Sequence, residues 1–203
     1  IGLSLLTASA RADAFAANSQ LSVDVTGFSG VPAISINARG FQSPTGAFNF
    51  YSLVFFPFSR ATGPNGESRS NFRIDRYNAA PANPGLSLIT NVTSFDGNIF
   101  PAVNPAHTFR MVFTLEGRHL SAALYDLNTD ATTALVDLAV TDSDPAALLG
   151  PGIPSIGVQY NQLEGDTPFA SVSASFDNFR AIPTPAPVAL LGLTTLLATR
   201  RRR

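Results

Sequence analysis

Few residues in this chain could carry out chemistry, and their spacing narrows what it could be. The 203 residues include two histidines, His107 and His119, three glutamates, Glu67, Glu116 and Glu164, and no cysteine. Without Cys there are no thiol nucleophiles, disulfides or thiolate metal sites. Each His stands beside the start of an apolar alternation, and neither H-x-H nor H-E-x-x-H spacing occurs, so both read as solvated strand-edge residues rather than metal ligands. Glycoside hydrolysis needs two carboxylates about 5–10 Å apart across a sugar. Among the glutamates only Glu164 has an acidic neighbour close by, Asp166, and that "EGD" reads as a loop. No G-x-S-x-G nucleophile elbow is present, and the chain is read as non-enzymatic. Two acidic stretches, "DLNTD" (Asp126, Asn128, Asp130) and "TDSDP" (Asp142, Asp144), carry the loop oxygens that hard cations take. Neither completes an EF-hand, so the expected cofactor is none, with calcium as the alternative. Sugar binding would use exposed aromatics beside amides and carboxylates. Tyr51, Tyr77, Tyr125 and Tyr160 are the only tyrosines, and Trp is absent.

These residues sit on a chain whose dominant signal has period two. "LSVDVTGF" sets Leu21, Val23 and Val25 against polar neighbours, and "AISINA" repeats the pattern with Ile34 and Ile36, as half-buried strands do. "FNFYSLVFFPF" is strongly apolar and aromatic and reads as a central strand buried on both faces, with Pro57 marking its end or an edge. "NFRIDRY" places Phe72, Ile74 and Arg76 on one face and Arg73, Asp75 and Tyr77 on the other. "LSLITNVT", "TFRMVFTLEG", "HLSAALYDL", "TTALVDLAV", "SIGVQY" and "ASVSASFDNFRAI" follow, for about ten strands. "GPNG", "APANPG", "FDGN", "LEGR" and "GPGIP" supply turns between them. "LEGRHLSAALYDL" is the clearest hairpin, with Gly117 at its turn. "DSDPAALLG" offers one helical turn at most, capped by Asp144 with Pro145 at its first position. Short strands without intervening helices imply an antiparallel sandwich or barrel. Phe176 and Phe179 lie three apart in the last strand, so either both faces are covered there or the strand bulges.

Charge separates the body from the ends. All 13 basic residues are Arg, and five of them, Arg11 and Arg200 to Arg203, lie at the ends. Residues 13–182 hold the other eight against all 14 acidic residues, a balance of −6. Phosphate backbones would repel such a body, so no nucleic-acid partner is expected. The opening "IGLSLLTASARADAF" runs from apolar to small residues, with Ala10 and Ala12 placed as the A-x-A of a signal-peptidase site. Residues 1–12 are therefore read as part of a signal peptide whose start is missing, cleaved before Asp13. At the other end, Pro183, Pro185 and Pro187 form an extended spacer. Residues 188–199 carry no charge, and as a helix they would be about 18 Å long against a hydrocarbon core of about 30 Å. Flanking residues and outward-reaching Arg side chains narrow that gap. Arg200, Arg201, Arg202 and Arg203 would stay cytoplasmic, leaving the acidic body outside.

That ending, a Pro-rich motif, a short apolar helix and an Arg cluster over residues 182–203, resembles the PEP-CTERM sorting signal of Gram-negative bacteria. The resemblance implies recognition and processing by an exosortase in the inner membrane, then delivery to the cell surface or exopolysaccharide matrix. The family's Pro-Glu-Pro stands here as Pro183, Thr184 and Pro185, with Thr in place of Glu. A second resemblance rests on "HTFRMVFTLEGRHLSAALYDLNTD" and "ASFDNFRA", which look like the C-terminal half of concanavalin A-like (laminin G-like) jelly rolls. It implies that residues 13–181 form one all-β, antiparallel jelly-roll sandwich, followed by a short membrane-anchoring helix. The functional expectation is an exported structural or adhesive module, associated with the surface or with extracellular polysaccharide. The alternative is a lectin-like carbohydrate-binding module, with or without calcium, and a polysaccharide-active enzyme ranks third.

Overall fold

The computed structural model describes residues 16–30, 32–42, 48–62, 68–78, 91–160 and 172–184. Ala10, Ala12, Pro185 and Arg200 to Arg203 lie outside the described residues, as do the expected signal segment and anchoring helix. Among the described residues ten strands follow one another: β1 (Ser19–Ser29), β2 (Pro32–Gln42), β3 (Phe48–Thr62), β4 (Ser68–Asn78), β5 (Asn91–Pro101), β6 (Phe109–Glu116), β7 (His119–Asp126), β8 (Val136–Thr141), β9 (Ile153–Tyr160) and β10 (Ser173–Pro183). They form two five-stranded sheets, β10-β1-β6-β7-β8 and β5-β4-β3-β2-β9, and every pairing is antiparallel. Among the described residues no helix is long and apolar enough to cross a membrane.

The alternation in sequence becomes the core between the sheets. Leu21, Val23 and Val25 of β1 and Phe109, Met111, Phe113 and Leu115 of β6 point inward from the first sheet. Ile34, Ile36, Leu53, Phe55, Phe72 and Ile74 meet them from the second. Phe55 packs edge-on against Phe72 with centroids 6.4 Å apart, and Phe109 lies 5.7 Å from Phe55 across the sheet interface. Each such ring contributes about 1.5–3 kcal/mol by leaving water, which holds the sandwich without disulfides.

Three irregularities separate the strands from their sequence patterns. "FDGN" is not a turn. β5 runs through it, and a register shift opposite Arg73 and Ile74 absorbs the extra residue between Phe95 and Gly97 as a bulge. Pro57 does not end β3, which runs on to Thr62, but it falls at a local edge, since the ladder with β2 stops at Phe55. β3 lies at the centre of its sheet, and its ladder skips from Phe56 to Ser59, so the missing N–H falls in a register shift. In β10 the ladder with β1 shifts between Asp177 and Arg180, with Asn178 at φ 52°. That bulge turns both Phe176 and Phe179 toward the core, and Asn is among the few residues that tolerate a left-handed backbone.

The β6–β7 hairpin closes as expected. Glu116 pairs with His119, and Gly117 takes φ 58° at the turn, where a side chain would be strained. "DSDPAALLG" makes a single turn, with the Asp144 side chain accepting from the Ala146 N–H at 2.8 Å and the Ala147 N–H reaching the Asp144 carbonyl at 3.0 Å. β10 continues through Pro183, opposite Ser19, so the ordered ladder reaches two residues past the expected end of the domain.

Candidate functional site

The outer face of the second sheet gathers groups able to recognise a ligand, and strand register puts them there. In β3 the inward residues Tyr51, Leu53 and Phe55 alternate with Phe50, Ser52, Val54 and Phe56 on the outside. Phe50 lies directly opposite Tyr77 of β4, and the two rings stack with centroids 4.7 Å apart and planes 20° from parallel, as cross-strand aromatic pairs do. One pair along, Ser52 faces Asp75, and the next pair sets Val54 against Arg73. The Arg73 guanidinium reaches diagonally to lie 4.9 Å from the Phe56 ring centre. On the neighbouring strand Asn37, opposite Ser155, donates to its hydroxyl at 3.2 Å.

Asp75 is the unusual member. Its side chain is 0% exposed. Oδ2 accepts from Arg73 Nε at 3.0 Å and from the Tyr77 hydroxyl at 3.5 Å, while Oδ1 has no hydrogen-bond partner among the described residues. Buried carboxylate oxygens are normally satisfied, and leaving one bare is costly. Burial, and then the negative Asp75, push the Tyr77 phenol up to about 12, so it remains a donor. Val54, Phe56 and Ala33 form an apolar cluster of their own on this face, separate from the main core.

The acidic loops have a different use. Tyr51 and Arg76 are inner-face partners on β3 and β4. The Tyr51 hydroxyl donates to Asp142 Oδ2 at 2.6 Å and accepts from the Leu148 N–H at 3.1 Å. Arg76 donates to Asp142 through Nη1 and to Asp144 through Nη2, the latter at 2.8 Å. Arg118 reaches the carbonyls of Asp142 and Asp144 at 3.0 and 2.6 Å. Arg76 and Tyr51 thus bind the segment after β8 to the inner face of the second sheet, and Arg118 ties it to the β6–β7 turn of the first. Burial, reinforced by Asp142, raises the Tyr51 phenol to about 12. The Ala146 N–H and then Arg76 hold the Asp144 carboxyl below its usual range.

In "DLNTD", Asp126 accepts from His107 at 2.7 Å, from the Asn128 N–H at 3.0 Å and from the Thr129 hydroxyl at 3.0 Å. Burial opposes its ionisation, and the His107 bond and the two turn donors outweigh that, so its pKa is lowered. Asp130 accepts from the Thr132 hydroxyl and N–H, and these with Thr133 lower its pKa strongly. "DLNTD" is turn chemistry and "TDSDP" a long-range anchor to Tyr51 and Arg76, and among the described residues no three His, Asp or Glu side chains converge as a metal site would require. His119 pairs with Thr141 at 3.3 Å on the surface. Glu116 ends β6, exposed, while Glu67, Glu164 and Asp166 lie outside the described side chains. Of the sorting motif, Pro183 closes β10 and Thr184 follows it, its N–H donating to the Asn18 carbonyl at 3.1 Å.

Arg39 escaped the sequence reading. Buried at 3% exposure and φ 52°, it donates to the carbonyls of Ala17 at 2.8 Å, Gly117 at 2.6 Å and Leu148 at 2.6 Å. The Arg-Gly pair inside the "AISINARGF" alternation was the available sign of a bulge. The β2 ladder does shift there on both edges. Gly152 lies against that bulge, and a Cβ on it would fall 2.6 Å from the Gly40 nitrogen.

No family model and no curated protein matches this chain. Among solved structures it is similar to the CBM2 module of the evolved Dit of Lactobacillus casei BL23 phage J-1, with TM-score 0.45 and 14% identity over 70% of this chain and 52% of that one. It is also similar to the enzymatically active domain of tailspike protein 2 of bacteriophage CBA120, with TM-score 0.48 and 8% identity over 85% of this chain and 23% of that one. The chain thus spans about half of the first of these and less than a quarter of the second.

Proposed function

We propose that this chain is an exported protein of a Gram-negative bacterium. Its C-terminal tail holds it transiently in the inner membrane, an exosortase handles it there, and it is delivered to the cell surface or the exopolysaccharide matrix. In that setting the sandwich is a non-catalytic structural or adhesive module. The tripartite sequence of residues 182–203 carries this reading: prolines, an uncharged apolar run, then four arginines, a charge arrangement that partitions across a bilayer in one direction. The acidic body fits a place outside the cell and argues against a nucleic-acid partner. The finer description of the sandwich is a concanavalin A-like jelly roll. It is supported by β10 closing the first sheet against β1 and by a chain that passes between the sheets at β1–β2, β5–β6, β8–β9 and β9–β10. Replacing Arg200 to Arg203 with neutral residues is expected to release or mislocalise the protein, and unchanged surface retention in fractionated cells would sink the reading.

Carbohydrate binding is the second reading, and the outer face of the second sheet favours it. The half-buried Phe50–Tyr77 stack and the Arg73 guanidinium offer the aromatic and donor groups that hydroxyl-rich rings engage, and buried Asp75 holds Arg73 and Tyr77 from beneath. A glycan array run with and without chelator tests it. Signal that survives chelation and disappears in Tyr77→Ser supports this face as the binder, and signal that only chelator removes assigns binding to calcium and to a different site.

A further inference from the structure

Pro183 and Pro185 have no backbone N–H, so the Thr184 N–H is the one main-chain donor that Pro183-Thr184-Pro185 can offer to any protein reading it as an extended segment. That donor is already taken, since it bonds to the Asn18 carbonyl at 3.1 Å, one step beyond the Ser19–Pro183 pair of the β1–β10 ladder. The acceptor is itself fixed. The Asn18 side-chain oxygen accepts from the Gly117 N–H at 2.9 Å, and the preceding Ala17 carbonyl accepts from buried Arg39 at 2.8 Å. The Thr184 hydroxyl oxygen is buried and has no hydrogen-bond partner among the described residues.

Resting on the reading of this tail as a sorting signal, we infer that the folded sandwich withholds its own motif: the end of β10 holds Pro183 and Thr184 against β1, and an exosortase gains the motif only when the strand end frays. Fraying must come from β10, because Asn18 is held from two other directions. The same geometry accounts for Thr where the family has Glu. A Glu at 184 would bring a carboxylate to a place where the shorter hydroxyl is already buried and unpartnered, and burying an unpaired charge costs far more than burying a hydroxyl. The strand end and the family residue are therefore in conflict, and Thr184 resolves it in favour of the strand.

Two measurements test this on the full chain. Hydrogen exchange of the Thr184 amide is expected to be slowed by about ten-fold or more relative to an open chain, as for one added hydrogen bond, and exchange at the open-chain rate overturns the proposal. In cells carrying an exosortase, a six-residue Gly-Ser insertion between Ile182 and Pro183 moves the unaltered motif clear of β1, and Asn18→Ala loosens its anchor without touching it. Both are expected to speed processing, read as a mobility shift, by several-fold at unchanged thermal stability. Equal processing of wild type and insertion variant overturns the withholding whatever its level. Loss of processing even in an insertion variant carrying Thr184→Glu would remove the sorting reading itself.

Discussion

The two sheets share one core but treat their outer faces differently. The outer face of β10-β1-β6-β7-β8 is small, polar and wet: Ser22, Arg110, Val112, Thr114, Ser121, Ala123 and Tyr125 are all partly exposed. Its one tight feature is Asp24, which accepts from Arg110 at 2.7 and 2.8 Å and from Asn178 at 2.8 Å. The outer face of β5-β4-β3-β2-β9 is closed at its centre, where Ala33, Ser52, Val54, Phe56 and Asp75 are buried. A sheet wet on one side needs only alternation, whereas one closed on both sides needs apolar residues at successive positions. β6 and β7 accordingly alternate cleanly, and β3 carries apolar residues at successive positions from Leu53 to Phe58.

The sharpest way to break this comparison is to place one charge on each face. Val54→Asp is expected to cost more than about 3 kcal/mol, because the new carboxylate is buried without a partner. Val112→Asp, the same change on the wet face, should stay within about 1 kcal/mol. Urea midpoints that shift equally for the two variants would erase the distinction. A smaller effect sharpens the wet side. The Arg110 hydrogen bonds, with further help from Asn178, outweigh burial and hold Asp24 below the usual carboxylate range. A carboxyl depressed in the fold stabilises above its unfolded pKa of about 3.9, and that contribution is lost as pH falls through the folded value. Asp24→Asn should therefore lower neutral-pH stability by about 1 kcal/mol, a modest figure because Arg110 is substantially exposed. It should also flatten the acid limb, and an acid-unfolding curve identical to wild type would refute this. Asp75→Asn should change stability least, within about 1 kcal/mol, since losing the Arg73 pair is offset by no longer burying a charge with a bare oxygen. A thermal midpoint lowered by many degrees would show that Asp75 holds the fold rather than serving its outer face.

Much of this was legible in the chain. "NFRIDRY" placed Arg76 inward and Asp75, Arg73 and Tyr77 outward, and the structure keeps that division. The spacing of Phe176 and Phe179 demanded a bulge or a second covered face, and Asn178 supplies the bulge. What failed to read were residues whose role depends on a distant partner. "FDGN" has turn composition, yet pairing with β4 carries a strand through it. "TDSDP" has the look of a cation loop, yet Tyr51 and Arg76, some 66 to 91 positions earlier, occupy its carboxylates.

The sequence by itself determined a count of about ten strands, the inward and outward sides of β1, β2 and β4, the β6–β7 hairpin and the acidic body between basic ends, because period, turn chemistry and charge are local properties. Only the tertiary structure decided which acidic residues pair with which arginines, that Asp75 keeps an oxygen bare among the described residues, and that Thr184 is tied to Asn18. Those contacts join positions from 2 to 166 residues apart in chain order, and their geometry exists only once the sheets have set their register.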